Sequence, residues 1–218
     1  VAPEIIQKMG FDLEKHIELS NPIAKDRPYL RVSLLPSLLE NIEKELHLAD
    51  SVKFFEIGKV FDRHKPGQRT KQNSDELLPR QDVMLAMVYS AKNDRVPFYE
   101  VSSALVNLLK VVGVECQLLA ESEIGEHFIH PGRKALIKVG QDIIGVISEL
   151  HPVVQTSLGI GQKIGFAELN LNRLLEKITS KSKYKKISLY PAVTRDIALV
   201  VNKKIEHAKI VEKLKKVD

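Results

Sequence analysis

The sequence predicts an α+β fold in which an antiparallel β-sheet is flanked by helices. Predicted strands outnumber predicted helices along the 218 residues. Residues 135–147, ALIKVGQDIIGVI, have the pattern of a β-hairpin whose two-residue turn is Gly140-Gln141. These two observations favour an antiparallel sheet over a doubly wound parallel sheet.

The first predicted elements are a short strand and an amphipathic helix. The strand covers residues 16–23, HIELSNPI, and ends at the turn Asn21-Pro22. The helix lies within residues 30–48, with Ser33 as a capping residue and Pro36 in the first turn, where its missing N–H costs little. Its apolar positions have the spacing of one helix face: Leu35, Leu38, Leu39, Ile42 and Leu46.

The middle of the chain is predicted to form two strands, a loop and a second helix. Residues 52–62, VKFFEIGKVFD, are rich in β-branched and aromatic residues and form a strand. The polar residues 63–79 show no periodicity and are predicted to be a long exposed loop. Residues 82–91 are apolar on both faces, as in a central strand. The second helix covers residues 96–113 and ends at a glycine.

The last third of the chain continues this mixture. A strand is predicted at residues 114–120, before the hairpin, whose leading glycine favours a type II′ turn. Residues 151–159 form a short helix or turn, and residues 164–171 a strand. Residues 194–201, TRDIALVV, alternate as a strand does, and residues 205–217 form a final helix.

Composition excludes several classes of protein. The hydrophobic fraction of 44% supports a sizeable core, and no apolar run approaches the 18 residues of a membrane span. Cys116 is the only cysteine, so a disulfide framework is excluded and a reducing, cytoplasmic compartment is expected. The first residues lack the features of a signal peptide and read as a chain cut from something longer.

Charge is concentrated at one end of the chain. Residues 177–218 contain 12 basic and 4 acidic residues, whereas the first 176 contain 21 basic and 24 acidic residues. Such asymmetry is typical of contact with a polyanion, most simply a nucleic acid. A solvated, lysine-rich surface is the alternative, and charge alone does not decide between them.

Candidate nucleic-acid-binding residues lie on and between the final predicted strand and helix. Three lysines have a helical spacing that forms a basic stripe, and a basic pair and an arginine precede them. Lysines on one helix face can follow phosphates without reading bases. The set comprises Arg195, Lys203, Lys204, Lys209, Lys213 and Lys216.

Other chemical motifs carry little signal. His127 and His130 are followed by Pro131-Gly132, which breaks a helix, and one cysteine cannot complete a zinc site. GIGQKIG, residues 159–165, precedes a strand rather than a helix, so it is not a phosphate loop. No G-x-S-x-G nucleophile elbow occurs. The His-Pro pairs at His130 and His151 are expected to fix turns.

Four blocks of the sequence resemble the C-terminal half of the bacterial phenylalanyl-tRNA synthetase β subunit. They occur in the family's order over most of the chain. The blocks read NPIAKDRPYLRVSLLPSLLENI, FFEIGKVF, HPGRKALIKVGQDIIGVISELHP and YPAVTRDIALVV.

The resemblance implies a class II aminoacyl-tRNA synthetase-like module at residues 1–180, an antiparallel sheet flanked by helices that is itself non-catalytic. A basic linker at residues 181–189 then leads to residues 190–218, the first strand and helix of a ferredoxin-like anticodon-binding domain. The implied partners are the α subunit, in an (αβ)2 assembly, and tRNA. The whole enzyme attaches phenylalanine to its tRNA with ATP and magnesium, but no cofactor is expected in this part.

The resemblance also implies a subunit interface on the first helix. SLLPSLLENI corresponds to the motif 1 region, which builds subunit interfaces in class II enzymes. The interface residues would be Leu34, Leu35, Leu38, Leu39 and Ile42. From the residues alone, this leucine face is expected to be core, and Leu34 makes it wide enough to contact a partner helix as well.

The sequence also predicts that the catalytic machinery is missing. A class II active site needs an arginine on the strand after the first helix, and KFFEIGKVF has none. The GxGxER-like segment with a second arginine is absent as well. Without these cations the adenylation transition state loses its main electrostatic stabilisation. A stand-alone RNA-binding module and a degenerate class II enzyme acting on an amino-acid-like ligand remain as alternatives.

Overall fold

The computed structural model describes residues 1–70, 75–92, 96–120, 125–178, 191, 193–202, 205 and 207–215. The chain divides into two compact units, Val1–Thr179 and Ser180–Asp218. Within the described residues, none of the helices combines the length and the apolarity needed to span a bilayer.

The first unit contains one six-stranded sheet in which every neighbouring pair is antiparallel. The spatial order is β1-β2-β6-β5-β4-β3. The strands are β1 Ser51–Arg69, β2 Leu77–Ala91, β3 Gln117–Leu119, β4 Ile129–Val139, β5 Asp142–Leu150 and β6 Ile164–Asn170. The predicted antiparallel sheet is therefore confirmed, and β6 is buried along its whole length.

Helices lie on both faces of this sheet, as the prediction of an α+β fold requires. The helices of the first unit are α1 Pro3–Lys8, α2 Leu35–Glu45, α3 Pro97–Val111, α4 Pro152–Ser157 and α5 Leu171–Leu175. One face, called here the α2 face, packs against α1 and α2. The other, the α3 face, packs against α3 and α5. The two faces carry separate apolar cores.

The β4–β5 hairpin is formed as predicted. Val139 pairs with Asp142, so Gly140 and Gln141 are the two turn residues. Gly140 has φ +60, whereas Gln141 has no positive φ. A type II′ turn has a positive φ only at its first central residue, whereas a type I′ turn has it at both, so this turn is of type II′ as predicted.

The prediction of a loop at residues 63–79 is wrong. β1 continues to Arg69 and β2 begins at Leu77, so the two strands form a long hairpin. Pro66 lies opposite Pro79, between two register shifts. Prolines, polar residues and shifts in register removed the alternation that marks a strand. The arms hold together because each supplies the other's hydrogen bonds.

Two other predicted strands are shorter than expected. HIELSNPI forms only an isolated bridge between Glu18 and Tyr29. VECQLLA contributes the three residues Gln117–Leu119 to the sheet edge.

In the second unit, residues 193–202 form no strand, which corrects the prediction for residues 194–201. Alternating apolar residues favour an extended chain, but a strand forms only beside a neighbour that pairs its N–H and C=O groups. The final helix, α6, runs from His207 to Lys215.

Candidate functional site

Helix α2 is anchored to the central strand β6 through the buried carboxyl group of Glu168. Glu168 accepts a hydrogen bond from the Leu34 N–H at 2.7 Å and another from Ser33 Oγ at 2.8 Å. Ser33 Oγ in turn accepts from the Leu35 N–H at 3.1 Å. Two of the N–H groups at the start of α2 thus find partners, as buried helix ends require.

Burial controls the chemistry of this carboxyl. It raises the pKa of Glu168 to about 7, although the hydrogen bonds from Leu34 and Ser33 favour the ionised form. The nearby carboxyl of Glu126 also raises this pKa, and the Arg31 guanidinium lowers it. The carboxylate holds a helix end against the sheet, so its role in this geometry is structural.

The predicted interface residues lie in the core. All five side chains, Leu34, Leu35, Leu38, Leu39 and Ile42, are buried in the apolar cluster on the α2 face. The interface assignment stays a prediction, but these side chains present no surface to a partner. The apolar spacing that identified them is explained by packing against α1 and the sheet.

Polar residues of the predicted motifs are engaged in contacts within the chain. Glu56 pairs with the Arg31 guanidinium at 2.5 Å. Arg31 Nε also donates to the Lys59 carbonyl at 2.9 Å. Arg133 pairs with the buried carboxylate of Glu149 at 2.6 Å. Arg133 thus pairs with an acidic side chain of the same chain.

The two His-Pro pairs fix turns. His130 Nδ1 accepts hydrogen bonds from the N–H groups of Gly132 and Arg133, at 3.0 and 3.1 Å. His151 Nδ1 accepts from the Val153 N–H at 3.2 Å and caps α4. Among the described residues, no group of three or more His, Cys, Asp or Glu side chains could hold a metal ion.

The basic residues proposed for tRNA are partly described. Arg195, Lys209 and Lys213 are exposed. Lys203, Lys204 and Lys216 lie outside the described residues. Lys209 and Lys213 are four positions apart on α6, which places them on one side of the helix.

Two features were missed from the sequence. Glu168 gave no local signal, because its partners at the start of α2 are 134 and 135 positions away. The outer part of β1 exposes Phe55 and Ile57 to solvent. The alternation of residues 52–62 could have indicated this second feature, since it places these two side chains on one face.

Comparisons with known proteins agree on one family. The family model described as "Phenylalanyl tRNA synthetase beta chain CLM domain" matches residues 1–171. The phenylalanine–tRNA ligase beta subunit of Fusobacterium nucleatum is 34% identical over 211 residues, which cover 92% of this chain and 25% of the relative. The beta subunit of Bacillus licheniformis is 37% identical over 200 residues, or 89% of this chain and 24% of the relative. The chain thus spans about a quarter of the length of these relatives.

The fold has a solved counterpart at low sequence identity. The pyrrolysyl-tRNA synthetase PylSc of Desulfitobacterium hafniense has a TM-score of 0.60 and 17% identity, over 80% of this chain and 58% of that one. This likeness supports the synthetase-like sheet, and the family model supplies the closer assignment. The chain therefore belongs to the family of the phenylalanyl-tRNA synthetase beta chain CLM domain.

Proposed function

We propose that this chain is the non-catalytic, synthetase-like module of a phenylalanine–tRNA ligase beta subunit. It assembles with the α subunit in an (αβ)2 enzyme and leads into a tRNA-binding domain. The observation that carries this proposal is the match of the family model to residues 1–171. The covered sheet supports the lack of catalysis, because α1 and α2 pack on one face and α3 and α5 on the other.

Arginine is absent from KFFEIGKVF but present elsewhere on the same strand. β1 extends beyond KFFEIGKVF and includes Arg63 and Arg69, both exposed on the arms of the long hairpin. The lack of catalysis is thus supported more by the covered sheet faces than by the absence of arginine. ATP–pyrophosphate exchange with phenylalanine, measured on the purified chain, tests this point. We expect no exchange above background, and phenylalanine-dependent exchange would refute the non-catalytic assignment.

Assembly with the α subunit is tested by co-expression. The α subunit of the same organism, produced with this tagged chain, should co-elute at a fixed ratio in size-exclusion chromatography. The ratio and the mass of the complex also test the (αβ)2 stoichiometry in the whole enzyme. An α subunit that binds the full-length β subunit but not this chain would refute the assembly of this module with α.

We further propose that residues 190–218 begin a ferredoxin-like anticodon-binding domain. The support is the concentration of basic residues in this segment and the helix α6, which carries Lys209 and Lys213. A stand-alone RNA-binding module is the second candidate, and the same concentration of charge favours it. The two differ in one measurement: an isolated module binds tRNA tightly as this chain alone, whereas a leading segment binds it only weakly.

A further inference from the structure

The outer strand β1 offers an unpaired edge to another polypeptide. It is the first strand in the order of the sheet, and among the described residues it pairs only with β2. Arg31 covers the outer side from Lys59 to Phe61, because its Nε donates to the Lys59 carbonyl and its own carbonyl accepts from the Phe61 N–H, both at 2.9 Å. Residues 51–58, which precede this segment, have no strand beside them in the described part of the chain. Such an edge is a template for strand addition.

The register identifies which main-chain groups face outward. The Phe61 N–H points away from β2, and the pairing of β1 with β2 has no shift between Ser51 and Asp62. In an antiparallel ladder, alternate residues direct both N–H and C=O to the same side. Lys53, Phe55 and Ile57 therefore present their main-chain groups at the free edge.

The side chains of these residues form an apolar surface on the α3 face. Phe55 is 72% exposed and Ile57 is 58% exposed, although both lie in the regular part of the strand. Phe55 also borders a groove of about 180 Å³ between the sheet and α3. The groove is lined by Met87, Tyr89, Val101 and Ala104, among others. An incoming strand could therefore pair with the edge and place an apolar side chain in this groove.

Two lysines bracket the apolar pair on the same face. Lys53 is 71% exposed, and its ammonium lies 4.0 Å from the Glu100 carboxylate and 5.0 Å from the centre of the Tyr89 ring. Lys59 Nζ donates to Gln81 Oε1 at 3.1 Å. The side chains on this face therefore follow the order lysine, phenylalanine, isoleucine, lysine along the strand. A partner strand complements this order when two acidic residues flank its apolar residues.

A second copy of this chain is a poor occupant for the same reason. Antiparallel self-pairing centred on Glu56 would set Phe55 opposite Ile57, but it would also set Lys53 opposite Lys59. Like charges directly opposite each other destabilise a strand pair. The neighbouring registers keep one apolar match, Phe55 with Phe55 or Ile57 with Ile57, but each sets the other apolar residue opposite a lysine.

Protection against aggregation does not explain this edge. Edge strands are protected by shortness, charge or proline. The opposite edge, β3, is only three residues long. At β1 the lysines alone would protect the edge from aggregation, but the two large apolar side chains between them favour association.

We propose that this edge binds an extended segment of a partner polypeptide, in which two acidic residues flank alternating apolar residues. This proposal stands independently of the α-subunit assignment.

The experiment uses a synthetic peptide and the 218-residue chain. The probe is fluorescein-labelled Glu-Thr-Val-Thr-Phe-Thr-Glu, amidated at its C-terminus, which in antiparallel pairing sets its glutamates opposite Lys53 and Lys59. We expect saturable binding in fluorescence anisotropy. The double variant Phe55→Thr/Ile57→Thr, which keeps strand-forming residues, should bind at least tenfold more weakly. Val111→Thr is the matched control, because Val111 is an exposed apolar residue on α3.

Peptide variants separate strand addition from simple stickiness. N-methylation of the peptide's valine and phenylalanine removes the N–H groups that face the edge and should abolish binding. N-methylation of the two threonines beside the phenylalanine, whose N–H groups point away, should leave most of it. Equal loss from both methylations, or equal binding by the double variant, would overturn the proposal. So would a chain that dimerises in light scattering and becomes monomeric in the double variant, because a second copy would then occupy the edge.

Discussion

The carboxylate of Glu168, on the central strand β6, accepts a hydrogen bond from the main-chain N–H of Leu34, 134 positions earlier in the chain. This contact joins the start of α2 to the middle of the sheet. Because the carboxyl is buried, the contact also couples folding to pH.

We expect stability to depend on the protonation of Glu168. Its pKa is about 7 in the folded chain and near 4.5 when it is exposed. Between these values the folded state holds a proton that the unfolded state has released. The stabilisation is fully present below about pH 4.5 and is lost as the pH rises through about 7.

Glu168→Gln removes this titration and keeps an oxygen that can accept from Leu34. The free energy of unfolding of the wild type, relative to this variant, should fall by about 3 kcal/mol between pH 5 and pH 8. Urea denaturation at several pH values measures it. Glu126, whose pKa burial also raises, interacts with the Glu168 carboxyl, so both proteins are compared in a Glu126→Gln background. Glu43→Gln, at an exposed carboxyl, should give parallel curves. Parallel curves for Glu168→Gln would contradict the coupling.

The leucines of α2 should behave as core residues. Leu38→Ala removes a buried side chain and leaves a cavity, so we expect a loss of about 2–5 kcal/mol in the free energy of unfolding. Leu48→Ala is the control, because this leucine is 83% exposed just beyond the helix and should change stability by less than about 0.5 kcal/mol. Equal effects would mean that α2 does not pack on the sheet as described.

This prediction also bears on subunit assembly. A charged substitution at Leu34 or Leu38 would disrupt the core and abolish α binding indirectly. Thermal unfolding of each variant must therefore accompany any co-purification experiment. A variant at Leu38 that loses α binding but keeps the wild-type melting temperature would support a direct contact.

Sequence patterns predicted the elements that are determined by residues close together in the chain. The spacing of Leu35, Leu38 and Ile42 placed α2, and a single glycine, Gly140, placed the turn of the β4–β5 hairpin. The antiparallel sheet followed from the number and order of such elements. The residues also supported the interpretation that the leucine side of helix α2 is buried.

Features that depend on distant partners were not predictable in this way. The hairpin arms at residues 63–69 and 77–79 are strands only because they pair with each other, and Pro66 and Pro79 conceal the alternation. Residues 193–202 alternate well but have no paired neighbour and form no strand. Glu168 looked like an ordinary strand residue, since the groups that hold it come from the other end of the sequence.

The pair of Arg133 and Glu149 should matter more than a surface pair. Glu149 is almost fully buried, so Arg133→Gln would leave its carboxylate without its guanidinium partner. We expect a loss of up to about 3 kcal/mol at pH 7. Arg80→Gln is the matched control, because its pair with Asp82 is more exposed and should contribute less than about 1 kcal/mol. Chemical denaturation of both variants measures the difference, and equal losses would mean that burial of Glu149 is unimportant.

Binding of tRNA to the whole β subunit should depend on α6 through charge. Lys209 and Lys213 lie on one side of this helix, and each contact with a phosphate releases counterions. The double variant Lys209→Glu/Lys213→Glu should therefore weaken tRNA binding and lower the slope of log K against log salt concentration by roughly 1 to 2. Lys44→Glu/Lys110→Glu, at exposed lysines in the last turns of α2 and α3, is the control for net charge. A double variant with weaker affinity but an unchanged salt slope would show that these lysines act through folding rather than through phosphate contact. If the control lowers affinity and slope as much as the double variant does, α6 has no special role and the positive field acts only through net charge.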